Sequence, residues 1–279
     1  MRRVILETCQ VGEIPVTTMA DQSTKGQPVV FYLHGLTSDK RDGLALGYRL
    51  VEAGFFFVAL DAPMHGERKD ARLNALMEGE ADLVYPADTG LDLFFLVHEI
   101  IVQLAQDVGT LIGHLSKDSR ADIGRIGVTG ASMGGYTSFN QAAHDPRVQA
   151  AVPMIGIPAF ADRCADVVLE ASAYEKWADA MVAAEPVTAR QSAFMASIDP
   201  FDRLEEFFPN PLLMMCGDQD LAAPKKYSVD LYRKLKPVYA TRPERLRLNI
   251  YDDAGHRVTS TMMDDACDWF RRYLSLKRS

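Results

Sequence analysis

The sequence predicts an α/β fold: one mostly parallel, twisted sheet with helices on both faces and a helical insertion late in the chain. Three observations carry this. Short apolar runs rich in β-branched and aromatic residues recur along the chain, and longer helical stretches separate them. The short runs are continuous rather than alternating, as in strands covered on both faces.

In chain order, residues 4–8 and 14–18 are weaker runs that fit an antiparallel hairpin at a sheet edge. Core strands are expected over residues 29–33, 55–60, 126–129, 150–154, 212–216 and 246–251. Helices are expected over 43–53, 91–115, 133–143, 225–235 and 262–274. Two regions break the alternation. Residues 64–89 form a polar, charge-rich excursion after the second core strand. Residues 161–208 carry helices where a short crossover would do, and long insertions in compact domains are often functional. The insertion holds Trp177, Met181, Phe194, Met195, Phe207 and Phe208. These residues have two readings: the core of a helical subdomain, or a lid lining a substrate pocket, in which Trp177 and Phe194 would face the substrate.

A length of 279 residues fits a single domain, 1–279, better than two small ones. Hydrophobic residues make up 48% and charged residues 24%, ordinary values for a soluble globular chain. No stretch approaches the roughly 18 uninterrupted apolar residues of a membrane span. The apolar start ends at Glu7, far short of a secretory segment, so a cytoplasmic location is expected. Cys9, Cys164, Cys216 and Cys267 lie far apart with no CxxC pair, which points to reduced, mostly buried thiols rather than a zinc or redox site. A net charge of −8 disfavours nucleic-acid partners. The basic stretch from Lys225 to Arg247 reads as a solvated helix face and loop, because no aromatic stacking pattern accompanies it.

Gly130-Ala131-Ser132-Met133-Gly134 is a GxSxG motif directly after one strand run and directly before a helical stretch. That context gives the motif meaning: a nucleophilic serine needs a tight strand-to-helix turn, with small neighbours and the N-terminus of a helix close to developing negative charge. Ser132 is the expected nucleophile, and Gly135 lets the helix pack close to the sheet.

A serine hydroxyl is a poor nucleophile at neutral pH, so a base must take its proton and an acid must orient that base. Downstream of residue 212 His256 is the remaining histidine, in a loop just after the last strand run. His144 sits near the end of the helix after the motif and reads as a surface residue. For the acid, the loop Gly217-Asp218-Gln219-Asp220 offers two aspartates. Asp218 is placed to cap its own turn; Asp220, further along, is assigned as the acid. Asp252 and Asp253 precede His256 too closely to orient it.

An acyl-transfer intermediate needs two donors aimed at its oxyanion. The backbone N–H of Met133, after the nucleophile, is one. The other is expected from Leu36 in His34-Gly35-Leu36, which follows the first core strand, where Gly35 lets the chain bend. His34 is read as a side chain that holds this loop. The cluster Asp61-Ala62-Pro63-Met64-His65-Gly66-Glu67-Arg68 has too few ligands at metal spacing and reads as a loop beside the active-site edge, with no metal.

On these residues (His34-Gly35, Asp61 through Gly66, Gly130 through Gly134, Gly217 through Asp220, Gly255-His256) the chain resembles bacterial serine esterases of the α/β-hydrolase superfamily, near the dienelactone hydrolase and prolyl oligopeptidase-like branch. Dienelactone hydrolases use cysteine where Ser132 stands, and no propeller-sized N-terminal region precedes the motif. The resemblance therefore implies a small carboxylesterase that works without a cofactor on a small-molecule ester. An amide or peptide hydrolase on the same triad is the alternative. A non-catalytic ligand-binding protein on this scaffold would be favoured by a broken triad, and every member is present.

Overall fold

The computed structural model describes residues 3–77, 90–173, 187–252 and 254–275. Its strands form one eight-stranded sheet: β1 (Val4–Val11), β2 (Ile14–Asp21), β3 (Gln27–Leu33), β4 (Phe56–Leu60), β5 (Ala121–Ala131), β6 (Val148–Met154), β7 (Leu212–Gly217) and β8 (Leu246–Tyr251). The order is β1-β2-β4-β3-β5-β6-β7-β8. The β1–β2 hairpin runs antiparallel at one edge, β2 is antiparallel to β4, and every remaining pair is parallel. This is the α/β-hydrolase arrangement.

Helices cover both faces, as continuous apolar strands require. Alternate residues of a strand point to opposite sides. In β3, Val29, Phe31 and Leu33 join one core, while Val30 and Tyr32 join the other. The first core is closed by α3 (Gly90–Leu115), α4 (Met133–His144) and α7 (Lys226–Val238), through residues such as Leu104, Phe139 and Leu231. The second is closed by α1 (Leu44–Glu52) and α8 (Ser260–Leu274), through Leu50 and Phe270.

Between β4 and α3 lie a short 3-10 turn (Gly66–Arg68) and α2 (Ala71–Met77). Between β6 and β7 come α5 (Phe160–Ala173), α6 (Ala189–Ile198) and two 3-10 turns, so the insertion is helical as expected. Met195 and Phe207 are buried in the first core, and Phe194 packs half-buried against its edge. Trp177 and Met181 lie outside the described residues.

Three differences from the sequence reading have physical causes. Strand β5 begins at Ala121, five residues earlier than its apolar run, because main-chain pairing with β3 continues through polar Asp122. By length and hydropathy Leu93–Leu115 is able to cross a membrane. A search for uninterrupted apolar residues passes over it, since His98, Glu99, Gln103 and Asp107 interrupt the run, and its apolar side chains build the first core. His144 is half-buried rather than on the surface, with its Nδ1 3.0 Å from the carbonyl oxygen of Asn140. All four cysteines are free thiols; Cys9 is exposed and the other three are buried.

Candidate active site

Ser132 lies between the last residue of β5 and the first residue of α4, with φ 53° and ψ −117°. Positive φ is uncommon for a residue with a Cβ and costs of order 1–3 kcal/mol, so the surrounding chain must impose it. Two glycines make that possible. A Cβ on Gly130 would lie 2.4 Å from the carbonyl oxygen of Leu33, and one on Gly134 only 1.8 Å from it. The turn is thereby pressed against the end of β3, and the Ser132 N–H donates to the Met154 carbonyl of β6 at 3.1 Å.

His256 arrives from the loop after β8. Its Nε2 is 2.8 Å from Ser132 Oγ, and its Nδ1 is 2.8 and 3.0 Å from the two carboxylate oxygens of Asp220. A carboxylate only accepts, so Nδ1 carries the proton and Nε2 is left to accept from the serine hydroxyl. The Asp220 side chain has 0% of its surface exposed. Its Oδ1 also accepts the Ala223 N–H at 2.8 Å, which locks the carboxylate in place. Asp218, the competing acid, is exposed and its side chain pairs with Lys225. The loops carrying Asp220 and His256 are stitched together by main-chain bonds from Asp218 N–H to Tyr251 O (2.9 Å) and from Gln219 N–H to Ala254 O (3.0 Å).

Leu36 follows Gly35 in the loop after β3, and Met133 follows Ser132 directly. Met133 opens α4, so its N–H is one of the helix's leading donors with no intrahelical acceptor. Gly35, just before Leu36, is so near that a Cβ on it would sit 3.6 Å from the Cβ of Ser132. His34 holds this loop. Its Nε2 accepts the Ala62 N–H at 2.9 Å, which fixes the tautomer, and its Nδ1 then donates to Gly35 O at 2.8 Å. Burial keeps His34 below the usual histidine range.

The loop after β4 is braced to the same place by a clamp the sequence reading did not find. Buried Asp61 accepts from Lys40 N (2.9 Å), Lys40 Nζ (2.7 Å) and Glu67 N (2.9 Å), while Lys40 Nζ also reaches Glu67 at 2.6 Å. The signal was present in an aspartate placed straight after a fully apolar strand, which must find a cation or several donors if it is buried. The cluster from Asp61 to Arg68 is thus structural, and no group of acidic, histidine or cysteine residues among the described residues is arranged to hold a metal.

Strain concentrates at this edge. Among the described residues the non-glycine residues with positive φ are Thr37, Met64, Ser132 and Ile155, which follow the carboxyl ends of β3, β4, β5 and β6. Such outliers cluster where function overrides local preference.

A family model described as the prolyl oligopeptidase family matches residues 102–277, which span Ser132, Asp220 and His256. The chain belongs to the prolyl oligopeptidase family. It is 26% identical over 278 residues to YitV of Bacillus subtilis, a protein named as an esterase, covering 96% of this chain and 99% of that one. It is also 26% identical over 272 residues to the esterase YjfP of Escherichia coli, again covering 96% and 99%. Among solved structures it is similar to TT1662 from Thermus thermophilus, with a TM-score of 0.73, 20% identity and coverage of 99% and 100%. Acetyl xylan esterase 1 from a Thermoanaerobacterium species superimposes with a TM-score of 0.64 at 22% identity, covering 98% of this chain and 88% of that one.

Proposed function

We propose that this protein is a serine hydrolase that cleaves carboxylic esters of small molecules through an acyl-enzyme. The observation that carries the reading is the unbroken hydrogen-bond chain from Ser132 Oγ through His256 to buried Asp220. The esterase names of both full-length relatives support the choice of an ester as substrate.

Ser132 Oγ attacks the ester carbonyl as His256 Nε2 takes its proton. Asp220 offsets the positive charge that forms on the imidazole and keeps Nδ1 protonated. The N–H groups of Leu36 and Met133 stabilise the oxyanion as charge develops on it. His256 then protonates the departing alkoxide, which breaks the C–O bond. Water attacks the acyl-enzyme with His256 again as base, releasing the acid and restoring Ser132. No step requires a cofactor. As part of this proposal, the insertion that carries Phe194 limits the acyl side to short chains.

A fluorophosphonate probe tests the nucleophile: it labels a single site in the wild type and none in Ser132→Ala, whose kcat falls by roughly 10⁴-fold or more. Turnover retained in that variant would sink the mechanism. A family named for a peptidase favours a second reading, amide or peptide hydrolysis on the same triad. A panel of p-nitrophenyl esters beside aminoacyl anilides separates the two, the ester reading requiring the higher kcat/KM on esters.

A further inference from the structure

The Leu36 N–H, the second oxyanion donor of the proposed mechanism, shares a peptide unit with the Gly35 carbonyl. That carbonyl is held by two donors: His34 Nδ1 at 2.8 Å and the Ser38 N–H at 3.2 Å. The peptide is trans, and a planar trans peptide points its C=O and N–H in opposite directions. Whatever turns the Gly35 carbonyl therefore turns the Leu36 N–H with it.

The His34 ring that grips this carbonyl is itself fixed. It is fully buried, its Nε2 accepts the Ala62 N–H from the loop after β4 at 2.9 Å, and the His65 ring lies 5.2 Å away. Strand β3 runs between β4 and β5, so the ring is anchored on the β4 side, whereas Ser132 follows β5 on the other. Toward the serine the distances are short. A Cβ on Gly35 would lie 3.6 Å from the Cβ of Ser132 and 3.4 Å from the carbonyl oxygen of Ala131, and one on Gly134 would lie 2.9 Å from the carbonyl oxygen of His34. The loop needs its anchor. Gly35 can rotate its ψ with little penalty, and Thr37 holds a φ of 67° that a β-branched residue does not adopt unaided. At the far end of the loop the N–H and Nζ of Lys40 both donate to Asp61, at 2.9 and 2.7 Å. The segment from His34 to Lys40 is thus tied at both ends to the loop after β4, and the His34 tie acts directly on the peptide that carries the donor.

We infer that His34 is a positioning residue of the hydrolysis: by holding the Gly35 carbonyl on the β4 side it aims the Leu36 N–H at the oxyanion that forms beside Ser132. The inference rests on the ester-hydrolase reading and adds to it the group that orients the second donor. It goes beyond tethering, because a tether can act through either ring nitrogen, whereas aiming requires the Nδ1–H. It also couples the two bonds. An N–H that donates to an anion polarises its peptide, and the carbonyl at the other end becomes a better acceptor for His34.

The test reads both properties. Asparagine places an amide donor where Nδ1 stands, glutamine reaches toward Ala62 with an acceptor, and leucine offers neither. On p-nitrophenyl acetate, His34→Gln and His34→Leu should lose about tenfold to a hundredfold in kcat with KM little changed, a fraction of the loss on removing an oxyanion donor outright. His34→Asn should retain most of the activity. The thionoacetate, whose C=S is a weak acceptor, should be a far poorer substrate for the wild type, and His34→Gln and His34→Leu should narrow that oxygen-to-sulfur ratio. Full activity in His34→Gln with loss in His34→Asn overturns the inference, and so does an unchanged ratio in His34→Leu. A measurement on the wild type needs no variant. With the histidine nitrogens isotopically labelled, an alkyl boronic acid adduct on Ser132 should move the His34 Nδ1 proton downfield while that of His98, bonded to Phe94 O within α3, stays in place. An unmoved His34 proton overturns the inference and leaves the esterase reading intact. A wild type that neither cleaves p-nitrophenyl acetate nor takes up the boronic acid overturns the ester-hydrolase reading, and this inference with it.

Discussion

Gly135 and Gly156 pack backbone to backbone close to Ser132: a Cβ on Gly135 would lie 3.1 Å from the Cα of Gly156 and 2.5 Å from the carbonyl oxygen of Met154. That carbonyl accepts the Ser132 N–H, and the next residue, Ile155, is buried with φ 44° while its N–H donates to Met215 O at 2.8 Å. The end of β6 is thus wedged between α4, which Ser132 precedes, and β7, the strand that leads to Asp220.

Gly135→Ala should break this wedge. The added methyl has backbone on two sides and no flexible side chain to push away, so α4 must move relative to β6. Overpacking of this kind costs typically 1–3 kcal/mol, or roughly 2–9 °C in thermal midpoint for a chain of this size. Because Ser132 directly precedes α4, kcat should drop as well, with KM less affected. Thermal melts and steady-state kinetics check both, and a variant with wild-type kcat would show that the wedge does not position the serine.

The two aspartates of the acid loop should fail differently when converted to their amides. In Asp220→Asn the group facing His256 Nδ1 no longer offsets the imidazolium and can impose the wrong tautomer, so kcat falls by up to about 10⁴-fold. Asp218 pairs with Lys225 where both side chains are about two-fifths exposed, at 41% and 42%. Exposed pairs contribute at most about 1 kcal/mol, so Asp218→Asn keeps near-normal turnover. Measuring kcat and thermal midpoint for both variants decides the assignment, and the reverse pattern would transfer the role to Asp218.

His98 should make the fold acid-sensitive. Burial holds it neutral, with its pKa pushed down to about 4, whereas in the unfolded chain it titrates near 6.5. Below pH 6.5 the unfolded state binds the extra proton and the folded state does not. The contribution is therefore present above about pH 6.5 and is lost as pH falls toward 4, by about 3 kcal/mol. His34 and His65 are shifted in the same direction by burial. Urea midpoints at pH 7, 5.5 and 4.5 should fall more steeply for the wild type than for His98→Leu; parallel curves would rule out His98 as a source of the sensitivity.

If the insertion limits acyl length, Phe194→Ala and Trp177→Ala should raise kcat/KM on longer p-nitrophenyl esters relative to the acetate. Phe194 is half-buried at the edge of the first core, so its truncation should also lower the thermal midpoint. A lower midpoint with an unchanged acyl-length profile in both variants would assign the segment to packing alone.

What the sequence determined by itself was the order of strands and helices and the edge of the sheet that carries the chemistry. Continuous apolar runs such as Val29 to Leu33 can be satisfied only by cover on both faces, and loops after such parallel strands emerge at one edge, which brings the loops of Ser132, Asp220 and His256 together. The main-chain extension of β5 through Asp122 was not legible, because hydrogen bonding to β3 leaves no mark in side-chain hydrophobicity. Nor could local pattern separate Asp218 from Asp220, two residues apart in one loop; the fold decides by burying one carboxylate against His256 and Ala223 and leaving the other beside Lys225. The same holds for the Lys40–Asp61–Glu67 clamp, for the contact of Gly134 with Leu33 and for the ring contact of His98 with Tyr136. Each joins residues from separate elements. Periodicity reports which side of an element is apolar, but a polar side chain's role depends on the partner that tertiary packing brings to it.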